Sequence, residues 1–221
     1  MKILWTVIFS LFCISTTHAE WAMQTLKTKP RIFVIPDFLT PAECDHMIAT
    51  ARPSLARSTV LDDSKPNAGA LDSRRTSHGM FFPQDPQDPI LRNVEQRIAD
   101  LTKIPVPNGE AMQVLWYQVG AEYLPHYDYF SPTTPGGASA LSRGGQRVAT
   151  FIMYLNTPEA GGETIFPLAY VSVIPKKGMA LLFYNCQPSG EVDPLTLHGG
   201  ASVRAGEKWI ATKWLHMMPF H

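Results

Sequence analysis

Apolar side chains recur at Ile90, Val94, Ile98 and Leu101, the spacing of a helix that buries one face. Asp88 and Pro89 stand where an N-cap and first helical residue belong. Upstream, Thr40-Pro41-Ala42-Glu43 is a capping box, and Met47, Ile48 and Ala51 continue a helix that Pro53 stops. The stretch from Arg31 to Pro36 reads as a short strand. From Met112 the pattern changes to short β-rich runs at Met112–Val119, Val148–Leu155, Val171–Ile174, Ala180–Tyr184 and Trp209–Leu215, with Gly, Pro and Asn between them. No further helical period of useful length follows. This pattern predicts a mainly β fold, a jelly roll (double-stranded β-helix) braced by N-terminal α-helices. Ser131–Gly145 is small and polar, and reads as a loop that is either a lid or a plain linker.

The first residues belong to a different pattern. Lys2 precedes the apolar stretch Ile3–Ile14, and small residues follow at Thr17 and Ala19. This is the layout of a signal peptide over 1–19, cut before Glu20, or of an uncleaved signal anchor. The remainder, 20–221, is expected to be one domain with its β core at about 110–216. Hydrophobic residues make up 45% of the 221 and charged residues 17%, the balance of a folded globular chain. Zero formal net charge argues against nucleic acid or an anionic membrane as partner. Cys13 would leave with the leader, and Cys44 and Cys186 could form one disulfide or stay free.

The chemistry begins at His126-Tyr127-Asp128. On an extended strand His126 and Asp128 point to one face, with Tyr127 turned away. Two histidines and one carboxylate form a facial triad that leaves half of an octahedral iron(II) open, and His198 is the candidate second histidine. Lys208, ten residues further on, supplies a cation for a dicarboxylate co-substrate. The combination reads as an iron(II), 2-oxoglutarate-dependent oxygenase.

From about Ile32 to His216 the chain resembles the catalytic domain of prolyl 4-hydroxylases of the collagen and plant cell-wall type. The matching segments are Trp116-Tyr117-Gln118, Pro125-His126-Tyr127-Asp128, Gly145-Gln146-Arg147-Val148-Ala149-Thr150, Tyr154-Leu155-Asn156 and Gly161-Gly162-Glu163-Thr164. Leu197-His198-Gly199-Gly200 and Gly206-Glu207-Lys208-Trp209 continue the series, and Arg75-Thr76-Ser77 matches a segment near the peptide groove. The resemblance implies that His126, Asp128 and His198 bind Fe(II). It implies that Lys208, Tyr117 and Thr164 hold the far carboxylate of 2-oxoglutarate, and that O2 is the oxidant with L-ascorbate as reductant. Lysine in place of arginine favours the prolyl 4-hydroxylase branch.

Arg147, His216, Arg75 and Trp214 match positions that affect substrate handling, although Arg147 also suits a strand-edge salt bridge and Tyr117 or Thr164 ordinary structure. The implied reaction couples oxidative decarboxylation of 2-oxoglutarate to hydroxylation of proline in a proline-rich peptide. Alternatives are the same chemistry on another residue or a small molecule, and a metal-binding jelly roll without turnover. With no separate N-terminal peptide-binding domain in these residues, the chain resembles the short single-domain members. The leader points to the secretory pathway, as endoplasmic reticulum lumen or membrane, or to a bacterial envelope.

Overall fold

The computed structural model describes residues 21–221, so the leader expected at 1–19 lies outside the described residues. Two strands, β1 (Gln24–Lys27) and β2 (Ile32–Ile35), precede helix α1 (Pro41–Ala51). Four short strands, β3 (Ala56–Arg57), β4 (Val60–Leu61), β5 (Gly69–Ala70) and β6 (His78–Phe81), lead to α2 (Pro89–Thr102). Next come β7 (Gln113–Tyr117), β8 (Tyr123–His126), α3 (Pro135–Leu141) and β9 (Arg147–Tyr154). The chain closes with β10 (Ala160–Gly161), β11 (Thr164–Phe166), β12 (Val171–Val173), β13 (Ala180–Tyr184), β14 (His198–Gly200), β15 (Val203–Ala205) and β16 (Lys208–His216). Eight strands form a major antiparallel sheet in the order β1-β2-β13-β9-β16-β7-β6-β3, and β12-β11-β14-β8 form a minor one. This is the expected mainly β jelly roll.

Alternation along the strands divides the core in two. Phe151 and Met153 of β9 and Trp209 and Ala211 of β16 face the helices, where they meet Met47, Val94 and Ile98. Ile152, Tyr154 and Ile210 face the other way, toward Phe166 of the minor sheet. The same rule places Lys208, Thr212 and Trp214 on the inner face, around a cavity between the sheets. Both expected helix starts are present. Thr40 and Glu43 exchange capping-box hydrogen bonds, and Asp88 accepts from the backbone N–H groups of Ile90 and Leu91.

Lys213 falls on the helix side of β16, where its ammonium donates to both carboxylate oxygens of Glu95 on α2 at 2.7 Å. Burial raises the Glu95 carboxyl and lowers the Lys213 ammonium, so each charge is tolerated only because the other faces it. Gly109 lies against this stem, because a Cβ there would approach Lys213 Cε to 2.2 Å.

One expectation needs correction here. Ser131–Gly145 contains the seven-residue helix α3, capped by Thr134 with Pro135 behind it. At Gly136 it packs closely on backbone: the N–H donates to Asp63 O at 3.1 Å, and a Cβ there would lie 2.2 Å from Asp62 O. Such a helix carries no apolar stripe to read. His46 on α1 is half-buried and pairs with Asp88, the N-cap of α2. Cys44 and Cys186 are both free and buried, so the disulfide alternative is not realised. Among the described residues no helix is long and apolar enough to cross a membrane.

Replacing Glu95 with Gln leaves the Lys213 ammonium buried without its counter-charge. Denaturant unfolding is expected to show a loss of about 3–5 kcal/mol; a loss below about 1 kcal/mol would mean that the pair adds little to the fold.

Candidate active site

His198 opens β14 directly opposite His126, the last residue of β8. That register brings the two imidazole centroids to 4.4 Å. The ladder ends there, so Asp128 does not continue the strand as expected. It lies in the bend beyond β8, where its Oδ1 is 3.7 Å from His126 Nε2 and its Oδ2 is 3.5 Å from His198 Nε2. One donor atom from each of the three residues lies within 4.8 Å of the others.

The second nitrogen of each ring fixes its tautomer. His126 Nδ1 faces Leu124 O at 3.0 Å and His198 Nδ1 faces Thr196 O at 2.9 Å. A carbonyl can only accept, so each Nδ1 carries the hydrogen and each Nε2 presents a lone pair to the shared space. Burial, then His198, pushes His126 down to about 3. Burial alone would raise Asp128, but the neighbouring imidazoles and the Arg147 guanidinium outweigh it and hold the carboxyl at about 2. At neutral pH His126 is therefore a neutral imidazole and Asp128 a carboxylate, and His198 turns its Nε2 to the same space. With no thiolate in the set, the donors fit iron(II) better than a structural zinc.

Beyond the trio, the inter-sheet cavity is lined by Lys208, Tyr117 and Thr164. Lys208 and Tyr117 are cross-strand partners on β16 and β7, and Lys208 Nζ lies 5.2 Å from the Tyr117 ring centroid. Lys208 is only 2% exposed, and among the described residues no carboxylate forms an ion pair with it. Burial lowers its ammonium to about 8, opposed by the more distant Glu163. Thr164 accepts a hydrogen bond from Tyr154 Oη at 2.8 Å, which leaves its own hydrogen free for an acceptor in the cavity. A buried cation flanked by hydroxyls is incomplete without an anion, and a dicarboxylate chelating a metal at the trio would complete it.

This arrangement agrees with the relatives of the chain. Residues 112–216 match the model of the 2OG-Fe(II) oxygenase superfamily. The chain is 43% identical to prolyl 4-hydroxylase 5 of Arabidopsis thaliana, over 92% of its own length and 74% of that protein's. Against prolyl 4-hydroxylase 1 of the same plant the identity is 44%, covering 87% and 71%. The chain belongs to the prolyl 4-hydroxylase family of 2OG-Fe(II) oxygenases. Among solved structures it is similar to the viral collagen prolyl hydroxylase of Paramecium Bursaria Chlorella virus-1 in its 2OG complex, with 28% identity and a TM-score of 0.64. That match covers 83% of this chain and 94% of the viral one.

The oxygenase cavity opens beside His126 and Asp128 onto a cleft of about 650 Å³. Arg75, Tyr123 and Trp214 line both spaces. Arg75 is held by donation to Thr59 O at 2.8 Å and Gln113 Oε1 at 3.0 Å. Arg147 also borders the cleft, but its guanidinium is paired with Glu110 and reaches Asp128 O at 3.4 Å. His216 is fully buried behind Glu110, to which its Nε2 is bonded at 2.8 Å, and it does not line the cleft. Its contacts with the cleft wall are Glu110 and the ring of Phe130, whose centroid lies 6.1 Å from its own.

Sequence reasoning missed Glu110 and Tyr123. Strand alternation puts Tyr123 and His126 on opposite faces, but a bulge between β8 and β14 stacks their rings at 3.6 Å. Glu110 lies outside every β-run, and no local pattern marks it.

The lowered Lys208 ammonium predicts a pH dependence. Below pH 8 it is charged and pairs with a bound dicarboxylate; above that pH it must first regain a proton. The Kd for 2-oxoglutarate, measured by calorimetry with metal present, is expected to rise about tenfold between pH 7 and 9. Lys208→Arg, which keeps its charge, should flatten that rise. An equal rise in the variant would assign the titration to another group.

Proposed function

We propose that the protein is a peptidyl-proline 4-hydroxylase that couples oxidative decarboxylation of 2-oxoglutarate to hydroxylation of proline in an extended, proline-rich peptide. One observation carries the reading: the lysine-lined cavity between the sheets and the larger cleft share His126 and Asp128 in their walls. An organic acid and a polypeptide can therefore reach the same metal from different sides.

When bound by His126, Asp128 and His198, iron(II) supplies the redox chemistry that joins O2 and 2-oxoglutarate to oxygen insertion at a C–H bond. The chain's own part is to position and to shield. Lys208, with the hydroxyls of Tyr117 and Thr164, holds the far carboxylate, so the keto-acid end points to the trio. Burial of this pocket keeps water from the reacting groups. In the cleft, Leu61, Phe81, Tyr127, Tyr129, Phe130 and Trp214 present apolar and aromatic faces. A polyproline II segment offers pyrrolidine rings to such faces, and it loses little conformational freedom on docking. The size of the cleft, about 650 Å³, favours a peptide over a free amino acid, and the complete trio with Lys208 favours an enzyme over a binding module.

The proposal extends to L-ascorbate as the reductant that sustains turnover. It also includes a leader over 1–19 that directs the chain to the secretory pathway, by cleavage or as an anchor. Support for the leader is Lys2 followed by the apolar stretch Ile3–Ile14, and a lumenal home is the compartment where proline-rich secreted substrates are made.

Incubation with iron(II), labelled 2-oxoglutarate and a panel of peptides with and without proline runs tests the substrate. Succinate and hydroxyproline are expected in equal amounts with the proline-rich peptides alone. Succinate without hydroxylated proline in any peptide would sink the assignment and leave the small-molecule reading.

A further inference from the structure

Asp128 is held by a side chain that no part of the reaction so far requires. Thr150, in the middle of β9, has no exposed surface, and its hydroxyl lies 2.8 Å from Asp128 Oδ2. Behind it stands Asn185, equally buried, whose Nδ2 is 3.0 Å from Thr150 Oγ1. The Asn185 main chain is pinned at both ends, by donation to Val148 O at 2.9 Å and acceptance from Asp193 N–H at 2.8 Å. Three residues from separate segments thus form one line of hydrogen bonds that ends on an iron ligand.

The direction of that line is dictated by chemistry. A hydroxyl has one hydrogen, and an ionised carboxylate can only accept. If the Asn185 amide were turned to present its oxygen, Thr150 would have to spend its hydrogen on that oxygen. Its lone pairs would then face the Asp128 anion. With the amide nitrogen inward, Thr150 must accept from Asn185 and donate to Asp128. At the other end of the amide, Asn185 Oδ1 is buried and has no hydrogen-bond partner among the described residues. Asn185 leaves an acceptor unpaired and keeps its donor on Thr150.

We propose that Thr150 and Asn185 act as positioning residues for metal binding, a donor relay that orients the Asp128 carboxylate. Thr150 occupies a lone pair of Oδ2, which leaves Oδ1, on the His126 side, as the better-placed donor. Asn185 acts through Thr150 by locking the hydroxyl rotor. The inference rests on the assignment of His126, Asp128 and His198 as the iron site.

The test is a Co(II) titration of the purified full chain, followed by visible absorption, with thermal melts to confirm folding. Thr150→Val, of the same shape, is expected to weaken Co(II) binding about 10–100-fold, and Thr150→Ser to restore it. Asn185→Leu should cost less, about tenfold, and the double variant Thr150→Val with Asn185→Leu should bind no worse than Thr150→Val alone, because Asn185 has no route except Thr150. Wild-type affinity in a folded Thr150→Val protein would overturn the relay while the iron site stands. So would fully additive losses in the double variant, or failure of Thr150→Ser to recover. A wild-type chain that binds Co(II) no better than His126→Ala would overturn the iron reading and the relay with it.

Discussion

The register that sets His198 opposite His126 governs the distance between two imidazoles from strands more than seventy residues apart in the chain. Each ring is then turned by a carbonyl two residues before it, Leu124 for one and Thr196 for the other. Backbone geometry therefore chooses both the spacing and the tautomer. Asp128 enters from a bend, where no ladder holds it, and its orientation depends on Thr150 and Arg147. Two ligands are positioned by the sheet and the third by side chains, which is why the third has the more elaborate support.

A second constraint comes from charge. The inner face of β16 carries Lys208 to a buried position on the cavity wall, with no carboxylate paired to it among the described residues. Its neighbour one face away, Lys213, is as deeply buried but has Glu95. The two lysines show the difference between a structural cation and one reserved for a ligand. Lys213 ties a helix to the sheet, whereas Lys208 stays incomplete until an anion arrives. The cavity beside the trio thus selects an acid that can reach both ends.

Much of this was legible before the fold was known, where local pattern and chemistry coincide. Both capped helices and the strand runs carried strong local signals, whereas the iron trio and lysine were marked by the family motifs around them. Alternation alone would have put Lys208 with Ile210 and Trp214 on one face. Other features depend on what meets in space. Helix α3 is held by a close backbone approach at Gly136 and by polar contacts such as Ser139 to Asn67, so it has no hydrophobic period. Tyr123 reaches His126 only because a bulge reverses its face. Glu110 and Asn185 gain their roles from partners far along the chain, Arg147 and Thr150. Residues 1–20 lie outside the description, so the expected leader remains a matter of its sequence pattern.

The central claim is that the trio and Lys208 serve one bound molecule. Coupling between the two ligands tests this most directly, through the Kd of Co(II) with and without 2-oxoglutarate and the Kd of 2-oxoglutarate with and without Co(II). The account predicts that each ligand tightens the other by the same factor, at least tenfold, and that Lys208→Met removes most 2-oxoglutarate affinity while Co(II) alone still binds. Independent binding of the two, or unchanged 2-oxoglutarate affinity in Lys208→Met, would contradict it.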